Sequence, residues 1–252
     1  MQVVEQYRDR RFYAQRVSEL RPRFVLLFKV IAGWLQTSGL RTADTDWYPC
    51  IADLALLPVF RHWIDVPANI AVHENALSKF QEQLPDFITT WHMERKSEIM
   101  AIVIDALDSV PDDVDPLSLA VATFDCRRCS YRGMRWLQLL SHGCARSREF
   151  ESTTMAENMH KQAVVFACDE QREKYMWDIR VFVFNPCLAT TRLAIQACDE
   201  DPDVATYEDM DRCSVRVKCN KCTRICEALT WKKAVRGLHI RPSLQVYSYE
   251  NC

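Results

Sequence analysis

The sequence predicts an α+β protein that is predominantly helical, with an N-terminal helical region followed by an α+β region. Three observations carry this expectation. Apolar residues recur at helical spacing through residues 1–107. A short alternating run, RVFVF at 180–184, is found only in the later part. Cysteine and histidine gather in residues 124–144, FDCRRCSYRGMRWLQLLSHGC, at C-x2-C-x12-H-x-C spacing.

Composition bounds the function. The 252 residues are 48% apolar, enough to bury real cores, and the net charge of −2 marks no general affinity for nucleic acid or membrane. Only five glycines are present, and no G-x-G-x-x-G, G-x4-G-K-[ST] or G-x-S-x-G occurs. Phosphate-cradling loops and nucleophile elbows need glycine for close backbone approach, so nucleotide-dependent and serine-hydrolase chemistry are disfavoured. The first twenty residues are charged throughout, unlike a secretory leader. The longest apolar stretch, 24–35, is interrupted by Lys29 and is shorter than the ~20 residues of a membrane span. The expected setting is intracellular, cytoplasmic or nuclear, away from membranes. In such a reducing compartment the twelve cysteines are read as metal ligands or free thiols rather than cystines.

Residues 1–40 read as two helices. Val4, Tyr7, Phe12, Ala14 and Val17 mark the inner face of the first; Pro22 starts a second through Phe24, Leu27, Val30, Ile31 and Leu35, and Gly39 ends it. Residues 41–75 are a connector with short helices after Pro49 and Pro58, with His62 and His73 as ordinary histidines. Residues 75–107 are helical with a break near Pro85. The stretch DSVPDDVDP forms an acidic linker at 108–116 between the helical region 1–107 and the region 117–252. Beyond it the expectation is a helix over 151–161, strands over 164–167 and 180–184, and a helix over 188–198. An acidic loop is expected over 199–211, a strand over 213–218, a last helix over 227–238 and a tail from 240.

Thiolates and imidazoles at the 124–144 spacing suit tetrahedral zinc, which is closed by four protein ligands in structural sites. Cys126, Cys129, His142 and Cys144 are the candidate ligands of a first unit, 124–150. Leu139 and His142 fall ten and thirteen residues past Cys129, the spacing at which a short helix turns one apolar side chain inward and one imidazole to the metal. The unit resembles a two-Cys–two-His finger with Cys144 as the last ligand. Gly133 stands where such fingers carry an inward aromatic, so Tyr131, Met134 or Trp136 must take that place. Positions i and i+2 do not share a helix face, so the helix should end at His142, with Gly143 in a left-handed turn that brings Cys144 back.

A second unit, 212–239, repeats the start as Val217-x-Cys219-x2-Cys222 and adds His239, with Cys226, Cys213 and Cys252 as alternatives for a fourth ligand. One or two zinc ions are thus implied. Cys50, Cys168, Cys187 and Cys198 are expected to be buried free thiols. Both units are basic: Arg127, Arg128, Arg132 and Arg135 surround the first CxxC. These charges can balance zinc thiolates or contact nucleic-acid phosphates. The apolar helix RGMRWLQLLSH lacks the polar leading face of a groove reader, which favours charge balance.

The order of the motifs resembles a large group of uncharacterised basidiomycete fungal proteins with paired CxxC zinc-binding motifs, often with an upstream F-box-like segment. The matching pieces are PCIADLALLPVFRHWIDVP at 49–67, FDCRRC followed by LLSHGC, IQACDEDPDVATYEDMD at 195–211, and VKCNKC followed by LTWKKA at 229–234. The resemblance implies paired zinc sites and an adaptor in protein turnover. This chain shows no clear F-box, and it lacks the further histidines that the group places in and after its last helix. The functional expectation is a non-enzymatic zinc-binding module for an unidentified protein partner. The alternatives are nucleic-acid binding through basic finger-like units and a thiol–disulfide redox protein cycling Cys126 and Cys129.

Overall fold

The computed structural model describes residues 2–39, 47–107, 109–152, 154–217 and 229–237. They form a predominantly helical α+β protein with one two-stranded sheet among the described residues. The chain divides into two compact units, Met1–Glu94 with Ala145–Asp178, and Arg95–Cys144 with Ile179–Cys252.

In the first unit, α1 (Gln2–Thr37) packs along α7 (Met155–Gln171). Leu20, Phe24, Leu27, Phe28 and Ile31 recur at three- and four-residue steps and form one buried face, met by Ala163, Val164, Ala167 and Cys168 of α7. Small residues at 163 and 167 let the two helices approach closely. The two helices expected in 1–40 are one. Pro22 lies inside α1 on its exposed side, where the missing N–H faces solvent. Apolar burial on both sides of it outweighs the local penalty of about 3 kcal/mol. Arg23 reinforces the joint: its guanidinium donates to the carbonyls of Ile64 at 2.7 Å, Pro67 at 2.8 Å and Val66. Phe12, expected inside, is 56% exposed; Tyr13 takes the inner position and donates to Asn158 Oδ1 at 2.6 Å.

Residues 164–167 are helix, not strand. The run VVFA is β-branched and apolar, which suits a strand locally. In α7, however, Met159, Ala163, Val164, Ala167 and Cys168 share the face buried against α1. Thr154 caps the helix by accepting from the Glu157 amide at 3.1 Å. Short elements complete the unit: α2 (Ile51–Ala55), α3 (Arg61–Ile64), α4 (Glu74–Leu77) and the first turns of α5 (Leu84–Ala106). Pro85 sits in the first turn of α5, where proline costs no hydrogen bond.

In the second unit, β1 (Phe124–Cys126) pairs antiparallel with β2 (Phe182–Phe184) in the register Phe124↔Phe184, Cys126↔Phe182. The Phe124 and Phe184 rings meet edge to face at 5.5 Å. Around this ribbon stand α6 (Trp136–Ser141), α8 (Leu188–Gln196), α9 (Tyr207–Arg212) and α10 (Trp231–Gly237). The apolar stretch before β1 is buried but irregular. Backbone bonds Ala120 N to Ala205 O (2.8 Å) and Tyr207 N to Ser118 O (2.9 Å) hold it, with Tyr207 OH donating to Ala122 O at 2.7 Å. The acidic loop expected over 199–211 closes in a helix, α9. Thr206 accepts from the Asp209 amide at 3.2 Å and the Asp209 carboxylate accepts from the Thr206 amide at 3.0 Å, a reciprocal cap. Tyr207 and Met210 give that helix a buried face.

Candidate metal centre

Four donor atoms, from Cys126, Cys129, His142 and Cys144, lie within 4.8 Å of one another. Two short pieces of chain bring them together. The first is the turn after β1. Gly133 has φ +61, a left-handed conformation, and this turns the chain so that Met134 bridges back to Phe124. The Gly133 amide donates to Asp125 Oδ1 at 3.0 Å, which fixes the turn. Met134, fully buried, fills the place of the inward aromatic, whereas Tyr131 stays exposed. Within the turn, the Cys126 amide donates to Tyr131 O at 3.0 Å and the Arg128 amide donates to Cys126 Sγ at 3.3 Å. The Tyr131 amide hydrogen-bonds the Cys129 thiol and holds it below the usual cysteine range, because an N–H dipole favours the thiolate.

The second piece is the end of α6. Leu139 is fully buried and anchors the helix. The helix stops at Ser141, and His142 is extended, with φ −67 and ψ 120. Residues Gly143–Ala145 then form a single 3-10 turn that carries Cys144 to the cluster. The expected left-handed Gly143 is therefore not the device: the extended His142 makes the change of direction, so no positive φ is needed there. The His142 ring lies between Tyr131 and Phe182, each 5.8 Å away, and its Nε2 is 3.4 Å from Cys129 Sγ. Burial lowers the His142 pKa and favours the neutral imidazole, the form with a free lone pair for a metal. Burial and the neighbouring thiols push Cys144 up to about 11.

This donor set fits a tetrahedral ion. Metal–sulfur and metal–nitrogen bonds of ~2.3 and ~2.05 Å would place a sulfur and a nitrogen ~3.6 Å apart. The 3.4 Å between Cys129 and His142 is close to that edge. A cation at the centre would ionise all three thiols and remove their mutual penalty. With four protein ligands the coordination is filled, leaving no open position for substrate.

The surrounding cations are not equivalent. Arg127 and Arg128 are exposed on the turn. Arg132 lies 3.8 Å from the Asp125 carboxylate. Arg135 bonds Asp211 at 3.0 Å, and its guanidinium sits 4.0 Å from the Tyr207 ring centre. Burial would raise the Asp211 pKa, but hydrogen bonds from Lys232 and Arg135 outweigh it and hold the carboxyl below its usual range.

Of the second predicted site, Cys219, Cys222, Cys226, His239 and Cys252 lie outside the described residues. Cys213 is described: it caps the C-terminus of α9, and its thiol is in hydrogen-bonding contact with that of Cys198. Sequence spacing does not reveal this pairing, because the two cysteines are joined only through the acidic loop and α9. The contact of His142 with the Phe182 ring was equally hidden, since Phe182 arrives from β2. Among the described residues no helix is long and apolar enough to cross a membrane. Comparisons with protein families, with curated proteins and with solved structures give no match.

Proposed function

We propose that this protein is a non-enzymatic zinc-binding adaptor, in which zinc fastens the second unit and the protein surface binds a protein partner. The carrying observation is the convergence of Cys126, Cys129, His142 and Cys144 within 4.8 Å, a closed set of four ligands. Zinc is the ion of choice because three thiolates and one imidazole are a soft tetrahedral set. The bound ion would neutralise the thiolates and tie β1 to the end of α6. The eight described cysteines are all free thiols, in keeping with a reducing intracellular setting, cytoplasmic or nuclear.

The adaptor role draws support from two sides. The motif succession resembles that of basidiomycete proteins that often carry an F-box-like segment, and that resemblance implies partner binding in protein turnover. In the first unit, Phe12 on α1 and Phe166 on α7 are exposed, and Tyr13, Ala14, Val17 and Phe166 line a shallow apolar groove. Nucleic-acid binding is the second reading, favoured by exposed Arg127 and Arg128. Against it, Arg135 is already engaged by a carboxylate.

Metal analysis and partner capture, on wild type beside Cys126→Ser, test the proposal. One zinc equivalent lost in the variant, together with a stoichiometric protein partner lost with it, is the expected result. Zinc-free wild-type protein purified without chelator overturns the metal reading. Affinity for duplex DNA or RNA that falls steeply with salt overturns the adaptor reading in favour of nucleic acid.

A further inference from the structure

A recess of about 190 Å³ opens in the second unit among residues of α6, α9 and α10. It is smaller than the ~300–1,000 Å³ pockets that take drug-sized ligands, so it suits a small ligand or the end of a larger one. Three cations, Arg135, Lys232 and Arg236, line it together with Gln138, and no acidic side chain does so among the described residues. Thr123, Tyr207 and Trp231 also line it and are buried. None of the four candidate metal ligands belongs to it.

The three cations share one carboxylate. Arg135 donates to both Asp211 oxygens at 3.0 Å through Nη2 alone, and Lys232 reaches Asp211 Oδ1 at 2.7 Å. A guanidinium has five N–H donors and an ammonium three, so both keep donors in reserve. Arg236 has no carboxylate partner among the described residues. Carbon packing holds it instead: its Cγ would lie 3.1 Å from a Cβ added at Gly133, and its guanidinium is 5.4 Å from the Tyr131 ring centre. Glycine at 133 thus leaves room for this arginine besides turning the chain. Arg135 is seated in the same way, 4.0 Å from the ring centre of Tyr207. The hydroxyl of that tyrosine is committed to Ala122 O at 2.7 Å. A guanidinium over a ring face still presents its N–H edge to an acceptor. Trp231 Nε1 is buried without an acceptor among the described residues, although a buried indole N–H ordinarily finds one.

Three positive charges against the one of Asp211 leave an excess of two beside the recess. A phosphoryl group on a side chain carries about −1.5 to −2 at neutral pH and offers three acceptor oxygens, which matches that excess. A carboxylate, or one phosphodiester of a nucleic acid, brings a single charge and leaves half of it unmet. Arginine clusters are a recurring means of recognising phosphorylated side chains. We infer that this recess is a phosphoryl-dianion site, in which Arg135, Lys232 and Arg236 hold the phosphate of a phosphorylated side chain or inorganic phosphate.

Titration calorimetry on the full chain at low ionic strength tests this. The probes are N-acetylphosphoserine amide, inorganic phosphate, N-acetylserine amide and an oligothymidylate without terminal phosphates. Both phosphate probes are expected to bind and N-acetylserine amide to give no heat. An ester that binds at least as tightly as the free ion identifies a phosphorylated partner as the source; a preference for the free ion identifies phosphate itself. Arg236 is exposed, so its replacement leaves the buried side of α10, Trp231 and Ala234, in place. Arg236→Gln should weaken the phosphate probes by about tenfold or more, the worth of a charge-assisted hydrogen bond, and Arg236→Lys should lose less. Lys233 is exposed and outside the lining. Lys233→Gln removes an equal but solvated charge and should stay within about twofold of wild type. Equal losses in Arg236→Gln and Lys233→Gln would reduce the site to diffuse surface charge and overturn it. Silence with both phosphate probes overturns it as well, as does binding of the oligothymidylate in preference to them.

Discussion

The two units each hold a polar knot, and the knots are balanced in opposite ways. In the first unit Asp53 is 7% exposed and its carboxylate is fully engaged. The Cys50 amide donates to Oδ2 at 2.9 Å, the Trp177 amide to Oδ1 at 2.7 Å, and Arg146 pairs with Oδ2. Burial would lower the Arg146 pKa, but Asp53 and Cys50 outweigh it and raise it. The adjacent thiol of Cys50 is pushed well up by burial and by Asp53, and it lies close to the carbonyls of Lys174 and Tyr175. This knot carries its own counter-ion. The Cys126–Cys144 knot is made of donors that converge on one point, and its amides favour thiolates that discourage one another. The comparison teaches how to tell a structural polar cluster from a candidate ligand site: the first is closed by protein atoms, whereas the donors of the second converge where an ion would fit.

The helices differ in the same sense. α1 and α7 run for 36 and 17 residues and share a continuous apolar face. In the second unit α6, α8, α9 and α10 have 6, 9, 6 and 7 residues. Isolated helices below about 12–15 residues are marginal in water, so these depend on tertiary ties. Metal removal should therefore separate the units most strongly. Structural zinc contributes on the order of 10 kcal/mol in small domains. Under a strong chelator, amide exchange at Leu139 and Phe182 should lose protection while Leu27 and Val164 keep theirs. Uniform loss, or none, would break the comparison.

Next in size is Arg146→Met, which strands Asp53 as a buried unpaired charge. We expect a loss of about 3–5 kcal/mol in urea unfolding of the first unit, with zinc content unchanged. Pro22→Ala should act in the other direction, stabilising α1 by about 2 kcal/mol, since the helix regains a hydrogen bond at an exposed position. A destabilised variant would mean that Pro22 contributes to packing. Thr206→Ala removes the cap of α9 and should cost about 1 kcal/mol, read as a lower denaturation midpoint. The smallest effect concerns Asp211, whose folded pKa is depressed. Its contribution is fully present above the unfolded aspartate value of about 4 and is lost as pH falls through the folded value. Asp211→Asn should thus be slightly less stable than wild type at neutral pH, with the gap closing in acid. A gap that persists at low pH would show that the charge is not its source.

Much of this was legible in the residues. The inner face of α1 from Val17 to Leu35, the first-turn position of Pro58, and the four members of the cysteine–histidine cluster follow from spacing alone. The geometry of the cluster was less so. Spacing required a change of direction between His142 and Cys144, and Gly143 looked like the means, whereas an extended His142 provides it. The glycine that does need a left-handed conformation is Gly133.

The sequence by itself determined which residues cluster locally and which helical faces are apolar, because those depend on neighbours a few positions away. Only the tertiary structure decided that α1 runs through Pro22, that Val164 and Val165 are helical, and that residues 207–212 of the acidic stretch fold into α9. It alone brought Phe182 to His142 and Cys198 to Cys213. In each case a contact far along the chain outweighed, or added to, a local preference of a few kcal/mol or less, and no spacing rule encodes such a partner.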